Sequence, residues 1–248
     1  MIRRSHVTLV CMAAALASAS TARAQTAPWR GFVSVNGGYQ MTGNDFASTS
    51  TFRANVEDGS VTADYEVKGG PTFDVGGGVK LWRYIAVGVG VTRLSGATGS
   101  ALNGSVPHPF FFNRPRPVTG DAVGLERSEL AVHVQGQLIA PIGSRLQVTL
   151  FGGPSFFHVE QELVTGFTWS DTYPFDEASF SRATTSSATG SSVGFNAGAD
   201  VAYFFTRYVG LGGVVQFSHG TVGLDFGESS PQAKLGGVKA GGGLRVRF

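Results

Sequence analysis

The stretch that decides the fold is the C-terminal sequence GGVKAGGGLRVRF, residues 236–248. Apolar side chains recur there at alternate positions, namely Val238, Ala240, Leu244, Val246 and Phe248. The basic side chains Lys239, Arg245 and Arg247 fall on the opposite face. Because successive side chains of a strand point to opposite sides, this alternation predicts a β-strand between an apolar and a polar environment.

The N-terminus has the three regions of a secretory signal peptide. Two arginines precede an apolar run over residues 7–17, and Ala22 and Ala24 supply the small residues that a signal peptidase recognises. The run is too short to cross about 30 Å of hydrocarbon as a helix. We therefore expect cleavage after Ala24, so that residues 1–24 form the signal peptide and residues 25–248 form one mature domain.

The charge and cysteine content of the mature domain exclude several classes of protein. The full chain has 19 Lys and Arg and 17 Asp and Glu, and the loss of Arg3, Arg4 and Arg23 with the signal leaves 16 basic residues against 17 acidic ones. Nucleic-acid binding needs a clustered excess of basic residues, so we expect no nucleic-acid partner. Cys11 lies in the signal segment and is the only cysteine, so the mature domain depends on hydrogen bonds and packing rather than disulfides.

Eight segments of the mature domain alternate as the C-terminal stretch does. They cover residues 29–41, 71–81, 84–94, 124–139, 145–157, 193–205, 207–218 and 235–248. Each is near or above the length of about 9–11 residues that a tilted strand needs to cross a bilayer. No mature segment shows the three- and four-residue spacing of an amphipathic helix. The sequence thus predicts an all-β fold, an eight-stranded antiparallel up-and-down barrel.

The links between the predicted strands alternate between short and long. The short links are residues 82–83, 141–144 and 206–207, and the long ones are residues 42–70, 95–123, 158–192 and 219–234. Aromatic residues gather at strand ends on the short-link side, namely Trp29, Trp82, Tyr84, Tyr203, Phe205, Tyr208 and Phe248. A transmembrane barrel has short periplasmic turns, long extracellular loops and aromatic girdles, and this layout predicts one.

The signal peptide, the alternating strands and the ending Leu244-Arg245-Val246-Arg247-Phe248 resemble the small outer-membrane β-barrel family. That family includes the OmpA-type transmembrane domain and the porin-like OmpX and OmpW proteins, and the resemblance covers the whole mature chain. It implies a monomer in the outer membrane, surrounded by lipid and lipopolysaccharide. It also implies delivery by periplasmic chaperones to the barrel assembly machinery, which would read Leu244, Val246 and Phe248 as an assembly signal.

Alternation alone does not decide whether the apolar face points outward. A secreted cup of the lipocalin type would turn that face inward and hold an apolar ligand. The terminal Phe248, the alternating link lengths and the aromatic rim favour the membrane barrel. Glycines on the other face, such as Gly88 and Gly90, favour it too, because they suit a narrow, strongly curved cylinder rather than an apolar ligand cavity.

The polar face of the predicted strands would fill the lumen, since a barrel of this size is about wide enough for its side chains alone. The charged and titratable residues expected inside are Asp74, Lys80, Glu129, His133, Asp200, Lys239 and Arg245. Buried charge is costly unless it is paired, so we expect an internal network of salt bridges and hydrogen bonds. The alternative is a narrow channel or transporter for small or hydrophobic solutes.

The second long link has the most unusual local composition, VPHPFFFNRPRP over residues 106–117. Its candidate contact residues are His108, Phe110, Phe111, Phe112, Arg114 and Arg116. One interpretation is a lid that crosses the barrel mouth or packs against the hairpin expected in the first long link. The other is a lipopolysaccharide contact, with arginines on phosphates and phenylalanines on acyl chains. In the first link, Asp58-Gly59 predicts the tip of a hairpin.

Catalytic and metal-binding patterns are weak. The nearest candidates are His158 with Glu160, and Ser218 beside His219, and neither pair supplies a nucleophile, a base and an orienting acid. The histidines are scattered, without a thiol or a repeated ligand spacing. We therefore expect a protein that is not an enzyme, binds no cofactor or metal, and has a structural or binding role at the cell surface.

Overall fold

The computed structural model describes residues 29–41, 44–224 and 231–248. Regular structure there consists of β1 (Gly31–Met41), β2 (Asn44–Ala54), β3 (Glu57–Val67), β4 (Gly70–Lys80), β5 (Ile85–Val106), β6 (Arg116–Ile142), β7 (Leu146–Thr172), β8 (Glu177–Phe204), β9 (Val209–Gly223) and β10 (Gln232–Arg247). In this part of the chain no helix is long and apolar enough to cross a membrane. The expected signal peptide and its cleavage site lie outside the described residues.

Eight of the strands close into a ring. Its order is β1, β4, β5, β6, β7, β8, β9 and β10, each antiparallel to its neighbours. β10 completes the ring against β1, where Leu244 lies opposite Val35 and Val246 lies opposite Val33. The predicted eight-stranded antiparallel barrel is therefore confirmed, and each predicted strand lies in one strand of the ring.

The long links are mostly paired strand. β5 and β6 stay paired up to Val106 and Arg116, and β7 and β8 stay paired up to Thr172 and Glu177. The alternation of short and long connections is as predicted, but two of the long ones are the outer halves of long hairpins rather than irregular loops. The barrel thus has a turn end, where its connections are tight, and a tip end, where the hairpins project.

In the link after β1, strands β2 and β3 form a hairpin of their own. Its turn is Asn55-Val56, both with positive φ angles, 50° and 69°. The predicted tip at Asp58-Gly59 is wrong, because these residues lie within β3. Gly59 instead pairs with Phe52 across the two strands, where a Cβ would come within 2.5 Å of the Phe52 ring. β3 pairs with the outer part of β5, so the hairpin continues the wall beyond the end of β4.

The hairpin also supplies the centre of an apolar core at the tip end. That core includes Val61, Ala63, Tyr65, Leu102, Val106, Val118, Leu125, Phe157, Val159, Leu163, Val164, Phe167, Leu224 and Leu235. Tyr65 is 1% exposed and stacks on Phe46. Its hydroxyl accepts the amide hydrogen of Val164 at 2.7 Å, and burial raises its pKa. The hairpin therefore plugs the tip end of the lumen.

Candidate functional site

The outward face of the ring carries a belt of exposed apolar side chains. The belt includes Val35, Val75, Val79, Ile85, Val87, Val89, Leu130, Val134, Leu138, Leu150, Val201, Leu211, Val215 and Leu244. Water-soluble monomers rarely expose a contiguous apolar patch above a few hundred Å², whereas a barrel wall in lipid has such a band. The secreted cup required these side chains inside, and the structure places them outside.

Aromatic side chains line the turn end of the belt. Trp82, Tyr84, Tyr203, Phe205, Tyr208 and Phe248 are exposed there. The predicted assembly signal shares this outer surface, because Leu244 and Phe248 are exposed and Val246 is half-buried. The carbonyl of Phe248 accepts the amide hydrogens of Arg30 at 2.7 Å and Gly31 at 2.8 Å, which fixes the C-terminus against the first strand.

The lumen at the turn end holds a network centred on Asp74. Its carboxylate accepts hydrogen bonds from Asn36 Nδ2 at 2.8 Å, Thr92 Oγ1 at 2.8 Å and Lys239 Nζ at 3.0 Å. Lys239 also donates to Thr92 at 2.9 Å. Asn36, Thr92 and Lys239 are each buried. Four strands of the ring therefore meet at one partly buried carboxylate.

Arg245 extends this network toward Asp200. Its Nε donates to the two carboxylate oxygens of Asp200 at 3.3 and 3.1 Å, and one of its terminal nitrogens makes a further close contact with the same carboxylate. The other terminal nitrogen donates to Asn36 Oδ1 at 2.5 Å. Asn36 therefore links the Asp200–Arg245 pair to the Asp74–Lys239 pair.

His133 continues the network on the opposite side. Its Nε2 lies 3.2 Å from Thr92 Oγ1, and its Nδ1 lies 2.8 Å from Ser155 Oγ. Ser155 accepts from Asn196 Nδ2 at 2.9 Å, and Asn196 Oδ1 accepts from Gln135 at 3.0 Å. Because Ser155 is wholly buried, this Ser–His contact has no access for a substrate and serves packing.

Glu129 lies in a second group nearer the plug. It pairs with Arg127 at 3.4 Å and accepts the amide hydrogen of Gly236 at 3.2 Å. Gly236 has φ +81°, a conformation that glycine adopts without strain, and a Cβ there would collide with the Ser218 carbonyl. Arg127 also donates to Gln161 at 3.2 Å. The glycine thus turns a backbone amide inward to neutralise part of the buried charge.

Of the lumen residues expected from the sequence, the structure joins Asp74, His133, Asp200, Lys239 and Arg245 in one network and puts Glu129 in the neighbouring group. Lys80 lies apart at the turn end, with its Nζ 4.6 Å from the centre of the Trp29 ring. Sequence reasoning missed the connecting residues Asn36, Ser155 and Arg127. Asn36 follows the outward-facing belt residue Val35 in β1, so the sequence indicates that the Asn36 side chain faces the lumen. It does not indicate which residues that side chain contacts.

The remaining space in the lumen is small. A cavity of about 80 Å³ at the turn end is lined by the polar side chains of Asn36, Asp74, Gln135, Asp200 and Arg245, among others. A second cavity of about 10 Å³ touches Thr92, Glu129 and Lys239. These volumes suit a few water molecules. Neither cavity is lined by a residue of the β2–β3 hairpin.

Arg116 holds the tips of the β5–β6 and β7–β8 hairpins together at the tip end of the molecule. We call Arg116, its hydrogen-bond partners and His108 the lock. Arg116 is 3% exposed. It donates to Asp171 Oδ1 at 2.5 Å and to the carbonyls of Phe175 and Pro107, each at 3.1 Å. The tips of β5–β6 and β7–β8 are therefore joined by an ion pair between the buried Arg116 and the more exposed Asp171. Because this arginine is already neutralised inside the protein, it does not present its charge to an external phosphate.

His108 and the β2–β3 turn complete the lock. His108 Nδ1 accepts the amide hydrogens of Phe110 at 3.1 Å and Phe111 at 3.2 Å. The Asn113 amide donates to Glu57 Oε1 at 2.8 Å, which ties the loop to β3. The segment thus packs against the first hairpin, as one interpretation of its sequence expected.

The phenylalanines of this loop remain exposed. Phe110, Phe111 and Phe112 are 68%, 56% and 71% exposed, and the neighbouring Tyr173 is 84% exposed. We call these four residues the aromatic tip. Arg114 pairs with Asp176 at 3.2 Å, beside the Phe111 ring. Since about 45 Å of strand separates the belt residues of β6 from its tip, the aromatic tip stands far from the acyl chains next to the belt.

The catalytic candidates do not form a complete site. His158 Nδ1 lies 3.0 Å from Ser191 Oγ on the exposed wall. Ser218 is buried whereas His219 is exposed, so they lie on opposite faces of β9. Within the described ranges, no group of three or more His, Cys, Asp or Glu side chains could hold a metal ion.

The fold and its surface define a closed eight-stranded barrel with an apolar exterior and a filled interior. No protein-family model and no curated protein matches the sequence. Among solved structures, the chain is similar to the outer membrane protein OprG from Pseudomonas aeruginosa, with 11% identity, 89% of this chain and 97% of that chain covered, and a TM-score of 0.48.

Two further structures show likeness at a similar level. Neisserial surface protein A is 13% identical, with 88% of this chain and 97% of that chain covered and a TM-score of 0.40. The outer membrane protease OmpT from Escherichia coli is 8% identical, with 92% and 100% covered and a TM-score of 0.48. At such identities, residue roles in those proteins do not transfer to this chain.

Proposed function

We propose that this protein is a monomeric outer-membrane β-barrel that anchors a rigid binding surface outside the cell. The exposed belt inserts in lipid, the turn end faces the periplasm and the tip end faces outward. Export by a signal peptide cleaved after Ala24 and insertion by the barrel assembly machinery, which would read Leu244, Val246 and Phe248, complete this proposal. Outer-membrane lipid and lipopolysaccharide are then the surroundings of the belt.

A binding role is favoured over a channel because the lumen is filled at both ends. The turn end contains paired charges, and the tip end contains the apolar core around Tyr65. A water-filled diffusion pore needs a much wider barrel of about 16 strands. A catalytic role is not proposed, because Ser155 is buried and the exposed His158–Ser191 pair has no acidic partner among its described contacts.

The observation that carries the proposal is the aromatic tip on its buried lock. Exposed apolar side chains cost little to immobilise when the backbone beneath them is already fixed, and such preorganised aromatic residues dominate protein interfaces. Arg116 and His108 are 3% and 2% exposed, although they lie next to exposed phenylalanines. We therefore assign the aromatic tip as a contact surface for an apolar patch on an external partner.

Photo-crosslinking on intact cells tests this assignment. A benzoylphenylalanine at position 111 should give a discrete adduct, because this side chain would lie in the interface. The same group at Asp64, an exposed position on β3, is the matched control and should give none. Phe110→Ser together with Phe112→Ser should abolish the adduct while the heat-modifiable gel mobility of the folded barrel stays unchanged. Equal labelling at both positions would contradict a contact role for the aromatic tip.

A further inference from the structure

The charged side chains of the barrel are segregated along its axis. The sequence has no Asp or Glu in five ranges that include all the tight turns and both ends of the chain, namely residues 1–44, 75–120, 130–159, 201–224 and 229–248. The same ranges supply six cationic side chains at the turn end, namely Arg30, Lys80, Arg83, Arg145, Arg207 and Arg247. The nearest carboxylates on these strands, Asp74 and Asp200, are already paired with Lys239 and Arg245. The turn end therefore carries unbalanced positive charge.

Two of these cations, Lys80 and Arg247, converge on one indole ring at the turn-end mouth of the lumen. Lys80 Nζ lies 4.6 Å from the centre of the Trp29 ring, and the Arg247 guanidinium lies 5.7 Å from the same centre. The guanidinium also lies 3.8 Å from the centre of the Phe204 ring, which is buried. Trp29, Phe204 and Arg247 line the turn-end cavity of about 80 Å³. The two charges therefore face the mouth of the lumen rather than the lipid.

Backbone hydrogen bonds hold both side chains in place. β4 and β10, which carry Lys80 and Arg247, pair with the two edges of β1. The Lys80 amide donates to the Arg30 carbonyl at 2.7 Å, and the Arg247 amide donates to the Tyr208 carbonyl at 2.8 Å. Arg247 Nε donates to the Arg207 carbonyl at 2.8 Å. The closure of the ring itself therefore brings the two cations to the same mouth.

Neither cation has a negative partner. Within the described ranges, Lys80 Nζ and the terminal nitrogens of Arg247 contact aromatic rings and no carboxylate. The carbonyl oxygen of Phe248 at the same end is held by the amides of Arg30 and Gly31. Both cationic side chains are half-buried, so water screens their mutual repulsion less than it would on an open surface. An anion between them would relieve this repulsion and accept their unused hydrogens.

We infer that the turn-end mouth binds a soluble anion that carries phosphate groups, held between Lys80 and Arg247. The pair supplies a compact ammonium and a planar guanidinium, and both bind phosphate oxygens through charge-assisted hydrogen bonds. The other four cations of the turn end are exposed and attract such an anion from a distance. A lipid headgroup fits less well, because it would have to reach from the outer wall into the mouth. This site lies at the opposite end from the aromatic tip and does not depend on it.

Isothermal titration calorimetry of the refolded protein in an uncharged detergent tests the inference, with inorganic triphosphate as the probe. Lys80→Met with Arg247→Met removes both charges from the mouth, so the affinity should fall at least about tenfold. Arg83→Met with Arg207→Met is the matched control, because it removes the same net charge from exposed turns, and the affinity should fall less than about threefold. Equal losses in the two variants would show general attraction only and would overturn the inference, as would a wild type that does not bind triphosphate.

NMR of the unmodified protein gives an independent answer if the Arg247 variant does not fold. The chain has three tryptophans, and only the indole signal of Trp29 should shift when triphosphate is added. The signals of Trp82 on the exposed girdle and Trp169 at the tip end are the internal controls. An unmoved Trp29 signal, or equal shifts of all three, would overturn the inference. Phosphatidylglycerol added to the micelles should leave the Trp29 signal in place, whereas a shift as large as that with triphosphate would assign the site to a lipid headgroup and overturn the soluble ligand.

Discussion

The two halves of the lumen are filled by opposite chemistry. At the turn end, Asp74 and Asp200 are matched with Lys239 and Arg245 through short hydrogen bonds. At the tip end, the β2–β3 hairpin brings Tyr65 and its neighbours into an apolar core. The wall is the same ring of strands in both halves. The difference shows that the ring of strands alone does not determine which side chains fill the lumen.

The surroundings of each half of the barrel explain which side chains fill the lumen there. Inward positions at the turn end alternate with the lipid-facing belt, so the polar residues there are enclosed by the wall itself and must satisfy one another. The tip end has water outside, so its apolar side chains need shelter, and a separate hairpin provides it. The polar half therefore holds the barrel in one register, while the apolar half supports the outer surface.

The largest expected effect comes from unpairing the polar half. Asp74→Ala leaves Lys239 buried without its carboxylate, which should cost about 3–5 kcal/mol of unfolding free energy. Urea unfolding in lipid vesicles, followed by gel mobility, measures it. Asp64→Ala is the exposed control and should cost less than about 0.5 kcal/mol. Similar stability of both variants would show that the network does not hold the barrel, whereas recovery in Asp74→Ala with Lys239→Met would support the unpaired-charge explanation.

A smaller effect is expected in the apolar half. Tyr65→Phe removes the hydroxyl that accepts the Val164 amide hydrogen, and an unsatisfied buried amide costs about 1–3 kcal/mol. The loss should appear in unfolding of the hairpin while the ring stays folded, which limited proteolysis separates from global urea unfolding. If the ring lost the same stability as the hairpin, the two halves would be one cooperative unit.

Alkaline pH should distinguish the halves further. Burial raises the folded pKa of Tyr65. Its neutral form therefore contributes stability that is complete below the unfolded pKa, about 10, and is lost as pH rises toward the folded value. Above that pH, wild type should lose more hairpin stability than Tyr65→Phe, as proteolysis of β2 and β3 would report. Parallel losses in both proteins would assign the pH dependence to other groups.

The smallest effect is expected on the exposed wall. His158 and Ser191 are hydrogen-bonded at 3.0 Å but exposed. His158→Ala should change unfolding free energy by less than about 0.5 kcal/mol. It should also leave ester hydrolysis by the refolded protein at the background rate. Hydrolysis that is present in wild type and lost in this variant would instead reveal a catalytic wall site.

The ring could be predicted from sequence because two-residue alternation is local information. Residues such as Val87 and Gly88 alternate within one strand, so the sequence shows directly that they lie on opposite faces of the wall. The strand ends at the tip side could not be predicted in the same way. Beyond Leu94 or Phe157, both faces of the strands contact protein or water, so apolar alternation weakens although pairing continues.

The contents of the lumen were only partly predictable for a related reason. The alternation within each strand shows that Asp74 and Lys239 face inward. Their pairing, however, depends on the positions of β4 and β10 on the two sides of β1. The Arg116 lock joins residues 55 positions apart, and no spacing in the sequence indicates it. The turn lies at Asn55-Val56 rather than at Asp58-Gly59, and in that register Gly59 faces the Phe52 ring across the ladder.

Single-channel recording in planar bilayers tests the central claim, a barrel filled by charge pairs at one end and by a hairpin at the other. Wild type should show no steady current steps, because both fillings block the lumen. Replacing residues 44–67 by a short linker should still give no steady steps, because the charge pairs at the turn end remain, provided that gel mobility shows a folded barrel. Steady conductance by wild type would contradict the account and make a narrow channel the better description of this protein.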